Sequence, residues 1–171
     1  MLQIFSFVVA IIISCLPATA DERATATLPA PLNRVVLEVL GEIATTNVDG
    51  AAHFDMDMLK ALPSVRLETT TAVTDGVRRF EGFLMRTLLD VVGATGSTVT
   101  ATALNGYVIE FDVDEFDRFG VVVAYEMDGQ PLLRSDKGPL WIVYPRDQHP
   151  ELQDIRYDYR WVWQLMRLDI R

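Results

Sequence analysis

Apolar and polar residues fall along this chain in short runs and alternations that predict strands more often than helices. Residues 34–40, RVVLEVL, form a β-branched, apolar stretch, and Gly41-Glu42 is expected to turn it back along Ile43-Ala44-Thr45 as a hairpin. After a turn over 47–50, residues 54–62 read as a short helix with Asp55 as its cap, Pro63 as its stop, and Met56 and Met58 as core filler. Residues 65–71, VRLETTT, alternate at period two, which predicts a half-buried strand running into a loop over 73–76. Leu84, Leu88, Leu89, Val91 and Val92 return to helical spacing, with Gly93 as the C-terminal stop. Strands over 98–104 and 107–111 flank Asn105-Gly106, the strongest hairpin signal in the chain. Residues 112–117, DVDEFD, read as an acidic turn or a single helical turn on a solvated surface.

Val121, Val122, Val123 and Ala124 predict a buried strand, and residues 140–144, LWIVY, predict a second one stopped by Pro145. Between them lie the turn Asp128-Gly129 and a polar link holding Arg134, Ser135, Asp136, Lys137 and Gly138-Pro139, which reads equally as a solvated loop or as a place where the backbone is able to approach a ligand closely. Residues 150–159 read as a loop or short helix. Residues 160–170 read as a final strand with Trp161 and Trp163 on one face, a pattern that signals core packing first and ring stacking on a ligand second. Strands outnumber helices without regular βαβ alternation, so the expected class is α+β with mixed or antiparallel sheets. No repeat or linker divides residues 33–171, which are expected to fold as one domain.

Composition narrows the setting. The chain has 171 residues, half of them hydrophobic, a formal charge of −9 and a pI near 4.6. Nucleic acid is excluded as a partner on this reading, because phosphate neutralisation needs clustered Lys and Arg. Residues 1–20 hold no charged side chain, carry an apolar run over 4–13 and end in Ala18-Thr19-Ala20, which reads as a secretory signal peptide cleaved after Ala20. An uncleaved anchor and a lipoprotein acylated at Cys15 are the alternatives. Cys15 is the single cysteine, so in each case the folded domain has no thiol for a disulfide or a metal. Residues 21–32, rich in Ala, Thr and Pro, read as a disordered or extended lead-in.

The residues by themselves show no hydrolase arrangement. His53 and His149 stand apart from any Gly-x-Ser-x-Gly or His-Glu-x-x-His pattern and read as surface histidines, and one cysteine with two histidines cannot make a Cys/His metal cluster.

One stretch goes further. Residues 124–132, AYEMDGQPL, followed by Asp136-Lys137-Gly138-Pro139 and an apolar strand, resemble the molybdopterin-binding domain of the sulfite oxidase family, where a similar run leads into Asp-His-Gly-x-Pro. Here Lys137 replaces the histidine and one residue is missing before the proline. Phe80-Glu81-Gly82-Phe83-Leu84 resembles the family's aromatic-x-Gly-x-x-Leu motif opening a helix, and Arg160-Trp161-Val162 its Lys-Trp segment.

The resemblance implies a molybdopterin site with definite residues. The family's cysteine ligand falls near Thr70, whose hydroxyl is a poor substitute for thiolate. Tyr107 falls close to the active-site tyrosine and is the candidate catalytic group. Asp136, Lys137, Gly138 and Arg160 fall where the family meets the pterin and its phosphate. The expectation is an exported, molybdopterin-dependent oxidoreductase-like protein that binds a pterin cofactor or related anionic ligand with little or no sulfite oxidation. The alternative is a non-catalytic periplasmic ligand-binding, sensory or partner-binding module on the same fold, with membrane contact only through a retained or lipidated leader.

Overall fold

The apolar stretch after Asn33 begins the first sheet, and its neighbours come from both ends of the described chain. The structure is a computed structural model that describes residues 28–171. The signal peptide, the Cys15 lipoprotein alternative and the lead-in as far as Thr27 lie outside the described residues. Strand β1 (Val35–Gly41) pairs antiparallel with β2 (Ala52–Asp55) and parallel with β10 (Leu165–Ile170). Strand β10 pairs in turn with β5 (Thr98–Ala103), and β5 with β6 (Val108–Asp112), giving the order β2-β1-β10-β5-β6. The second sheet runs β3 (Ser64–Thr71), β4 (Thr74–Leu84), β7 (Val122–Met127) and β8 (Gln130–Pro131), with β9 (Trp141–Val143) also on β7. Helices α1 (Met56–Lys60), α2 (Met85–Val92) and α3 (Val113–Phe119) are short. The class is α+β with one parallel contact among antiparallel ones.

The inner faces of both sheets and the apolar stripe of α2 close on one core. Leu37, Val99 and Leu168 from the first sheet, Phe80, Val123 and Trp141 from the second, and Met85, Leu88 and Leu89 from α2 all belong to it. Phe80 meets Trp141 edge to face with ring centroids 5.3 Å apart, an arrangement favoured by aromatic quadrupoles. Gly93 ends α2 as expected, and the Asn105-Gly106 turn joins β5 to β6.

Several expected elements move. Residues 43–45 do not fold back on β1. The chain instead crosses to the end of α2, where the Ala44 and Thr45 amides donate to the Val92 carbonyl at 3.0 and 2.9 Å, satisfying a helix end that a hairpin would have left open. Phe54 and Asp55 belong to β2, not to a helix over 54–62, because Phe54 lies opposite Leu37 and is 1% exposed in the core. The loop expected over 73–76 is largely the start of β4, since Thr71 already pairs with Thr74 and only Ala72 and Val73 turn. Phe80-Glu81-Gly82-Phe83-Leu84 is accordingly the end of that strand, with α2 beginning after it. The acidic stretch over 112–117 is the first part of α3, and its Glu115 is largely buried rather than solvated.

Asp55 ties the lead-in to the domain. Its carboxylate accepts from the Leu32 and Asn33 amides at 2.9 Å each and caps α1 through the Met58 amide at 2.9 Å. These amides, Met58 first, hold its pKa below the ordinary value. The unfolded carboxyl, near about 3.9, therefore binds its proton more tightly than the folded one. The stabilisation is complete above that value and is lost as pH falls through the lower folded value. Thermal melts should show wild type more stable than Asp55→Asn at pH 7, with the gap narrowing toward pH 3. A gap independent of pH would contradict the role given to this carboxylate.

Candidate ligand-binding cleft

The segment leading into β10 is dense in aromatic residues and runs between the two sheets. Two 3-10 helices, Pro150–Gln153 and Ile155–Arg160, precede it, the second capped by Asp154, whose carboxylate accepts from the Arg156 amide at 2.9 Å. Residues 161–164 are then held from both sides. The Ile142 amide of β9 donates to the Val162 carbonyl at 2.9 Å, and the Leu104 amide beyond β5 donates to the Gln164 carbonyl at 2.9 Å. Gln164 has φ of 56°, and its side-chain amide donates to the Arg134 and Asp136 carbonyls at 2.9 Å each. This reversal corrects the expected strand over 160–170: Trp163 makes only an isolated bridge to Trp141, β10 begins at Leu165, and the two tryptophans precede the strand.

Both tryptophans line a cleft of about 200 Å3. Val73 comes from the β3–β4 turn, Asn105 and Tyr107 from the β5–β6 turn, and Asp158, Tyr159, Trp161 and Trp163 from the aromatic segment. The Tyr107 hydroxyl donates to the Tyr159 carbonyl at 2.8 Å, which fastens the hairpin to the second 3-10 helix. Burial, then the neighbouring Tyr159, raises the Tyr107 pKa, so its proton is held more firmly than in water. No Lys or Arg lines the cleft. Asp158 Oδ1 and Trp161 Nε1 are buried without a hydrogen-bond partner in the protein.

Beside the cleft lies a buried polar group. The Arg160 guanidinium donates to Glu115 Oε2 at 2.5 Å, with side chains 21% and 11% exposed, and sits 5.5 Å from the ring centroids of Phe111 and Tyr157. Burial raises the Glu115 pKa against the opposing pull of Arg160. The Tyr144 phenol, almost wholly enclosed, is raised well above its ordinary value by burial and then by the Glu115 charge. His149 packs edge to face on Phe119 at 5.1 Å and is half-buried, not a free surface histidine.

The residues expected to form a pterin site go to three places. Tyr107 lines the cleft, and Arg160 borders it, 5.8 Å from the Tyr159 ring. Lys137 pairs with Asp136 at 3.0 Å and lies 5.9 Å from the Trp141 ring, while its carbonyl accepts from the Gln164 amide. Gly138 makes its close approach to the chain itself, since a Cβ there would stand 2.0 Å from the Leu132 carbonyl oxygen. Thr70 is bound to Asp147, its amide donating at 2.6 Å and its hydroxyl at 2.5 Å, with Arg146 donating to the same hydroxyl at 3.3 Å.

Sequence reasoning passed over Asp158, Tyr159 and Glu115. The first two were signalled by the density of residues 157–163, YDYRWVW, in which every second residue is aromatic. Glu115 was signalled by its place beside Phe116 and four residues before the buried Phe119, on the flank of an apolar helical face. Among the described residues no three His, Cys, Asp or Glu side chains converge as a metal-ligand set, and no helix is long and apolar enough to cross a membrane. Compared with known proteins, the chain matches no protein-family model and no curated sequence.

Proposed function

We propose that this chain is a non-catalytic ligand-binding module, exported from the cytoplasm and built on the fold of the sulfite oxidase molybdopterin-binding domain. The order of the AYEMDGQPL, Asp136-Lys137-Gly138-Pro139 and Arg160-Trp161-Val162 motifs supports the fold, and the two-sheet α+β architecture is compatible with it. The observation that carries the ligand-binding reading is the cleft itself, aromatic on several sides and bordered by two buried polar atoms without partners. Such a concave apolar site with a few convergent polar groups is the usual form of a small-molecule site.

The residues present do not fit the molybdenum cofactor that the resemblance implies. At the cysteine position, the Thr70 hydroxyl donates to a carboxylate, so this donor set offers no soft thiolate and is already satisfied internally. The cations expected to receive the phosphate, Lys137 and Arg160, are each paired with a carboxylate, and Asp158 would repel an anion from the cleft.

The test is metal analysis, pterin fluorescence and a sulfite and sulfoxide turnover assay on protein purified from its native compartment. The expected result is substoichiometric molybdenum and no turnover above the protein-free rate, together with saturable quenching of tryptophan fluorescence by a small ligand. Stoichiometric molybdenum with sustained turnover would sink the proposal and restore the oxidoreductase reading.

A further inference from the structure

We propose that the cleft takes a small organic cation, an alkylated ammonium head group, with Asp158 as its counter-ion and the rings around it as a cage; this rests on the ligand-binding reading above. Tyr107, Tyr159, Trp161 and Trp163 bring four aromatic rings to one cleft. The face of each ring carries the negative lobe of its quadrupole, and a cation near such faces gains most when water is excluded. A single ring beside a cavity is ordinary packing, whereas four rings and one carboxylate line this one, with the Arg160 charge outside the lining and paired with Glu115.

The charge balance points the same way. Asp158 makes no ion pair among the described residues, and its Oδ1 is buried without a hydrogen-bond donor. A buried carboxylate oxygen left unpaired is costly, and a cation beside it offsets that cost through its charge even where, as in a quaternary ammonium, it has no N–H to donate. The nearest protein cation, Arg160, is committed to Glu115, and Arg156 is committed to Asp154, so neither replaces that partner. An anionic ligand would meet the Asp158 charge with no Lys or Arg lining the cleft to offset it. A neutral aromatic ligand without an N–H or O–H group would stack on the rings but leave Asp158 Oδ1 as it is.

Size selects among cations. The cleft, at about 200 Å3, lies below the roughly 300–1,000 Å3 of sites that enclose a drug-sized molecule. It suits a compact head group such as a trimethylammonium, with any longer tail left in solvent. The formal charge of −9 on the whole chain adds a field that draws cations toward the surface.

Three probes separate the outcomes: choline, its uncharged carbon twin 3,3-dimethylbutan-1-ol, and neutral pterin. Each is titrated into the mature protein by calorimetry and tryptophan fluorescence, in an amine-free buffer. Choline should bind at least about tenfold more tightly than the alcohol, and Asp158→Asn should weaken choline by about tenfold while leaving the alcohol unchanged, the loss expected of one charge-assisted contact. Trp163→Phe, which keeps a ring, should weaken choline less than Trp163→Ala, with melting temperatures recorded to confirm folding. Equal binding of choline and the alcohol, or indifference to Asp158→Asn, overturns the cation proposal. Binding of pterin or the alcohol without choline also overturns it but leaves the ligand-binding reading standing. Binding of none of the three brings down both.

Discussion

Replacing Glu115 with alanine is expected to remove about 3–5 kcal/mol of folding stability and to lower the melting temperature by roughly 10 °C. The side chain is 11% exposed, and its partner Arg160 is 21% exposed with Nε buried and unpartnered. Deleting the carboxylate leaves a guanidinium among Phe111, Tyr157 and Tyr159 with its counter-charge gone, which costs more than the ion pair itself contributes. The double variant Glu115→Met/Arg160→Met should therefore be milder than either single one, because apolar chains of similar reach avoid the orphaned charge. A change below 2 °C on Glu115→Ala would show the pair to be solvated. Its pH signature is opposite to that of Asp55. The raised folded pKa means that Glu115 favours the folded state below the unfolded value of about 4.3, and this contribution is lost as pH rises through the folded value.

Gly82→Ala should be nearly as damaging, at about 3 kcal/mol, because it places a methyl group inside a backbone contact. A Cβ at this position would lie 2.1 Å from the Val123 carbonyl oxygen and 2.7 Å from the Ala124 Cα. The contact occurs where the register of β4 on β7 shifts between Glu81 and Gly82. Both strands are central to the second sheet, so they cannot part locally without disturbing Phe80, Phe83 and Trp141. Chemical denaturation should show a lower midpoint with the slope nearly unchanged. A midpoint equal to wild type would mean that the sheet accommodates the methyl group by a shift the present packing gives no room for. The glycine of the aromatic-x-Gly motif thus has a packing reason to exist, independent of any cofactor.

How legible the chain was follows from where its instructions are local. Asn105-Gly106 specifies a turn in two residues, Asp55 caps a helix through its own carboxylate, and residues 65–71 carry their alternation openly. Each was readable because the physics acts within a few residues. Strand β2 was not, since Ala52, His53, Phe54 and Asp55 acquire strand character only by lying against β1. The first half of β4 was hidden for a related reason: it leaves Val77 exposed and places Arg78 and Arg79 in the strand, so no apolar alternation marks it. The cleft was half legible. Tyr107 and Arg160 were singled out through resemblance, but Asp158 and Tyr159 depend on a turn of chain between two sheets, anchored by Gln164 at a backbone angle no pattern announces.

The placement of β10 bears on when this domain can fold. It is the middle strand of the first sheet, parallel to β1 on one side and antiparallel to β5 on the other, yet it is made of residues 165–170. Without those residues β2-β1 and β5-β6 are two separate halves, each with an unsatisfied edge. Closure across such a sequence distance is entropically late. The first sheet is therefore whole only once a strand distant in sequence has closed between β1 and β5, and until then each of those two strands offers its open edge to other chains.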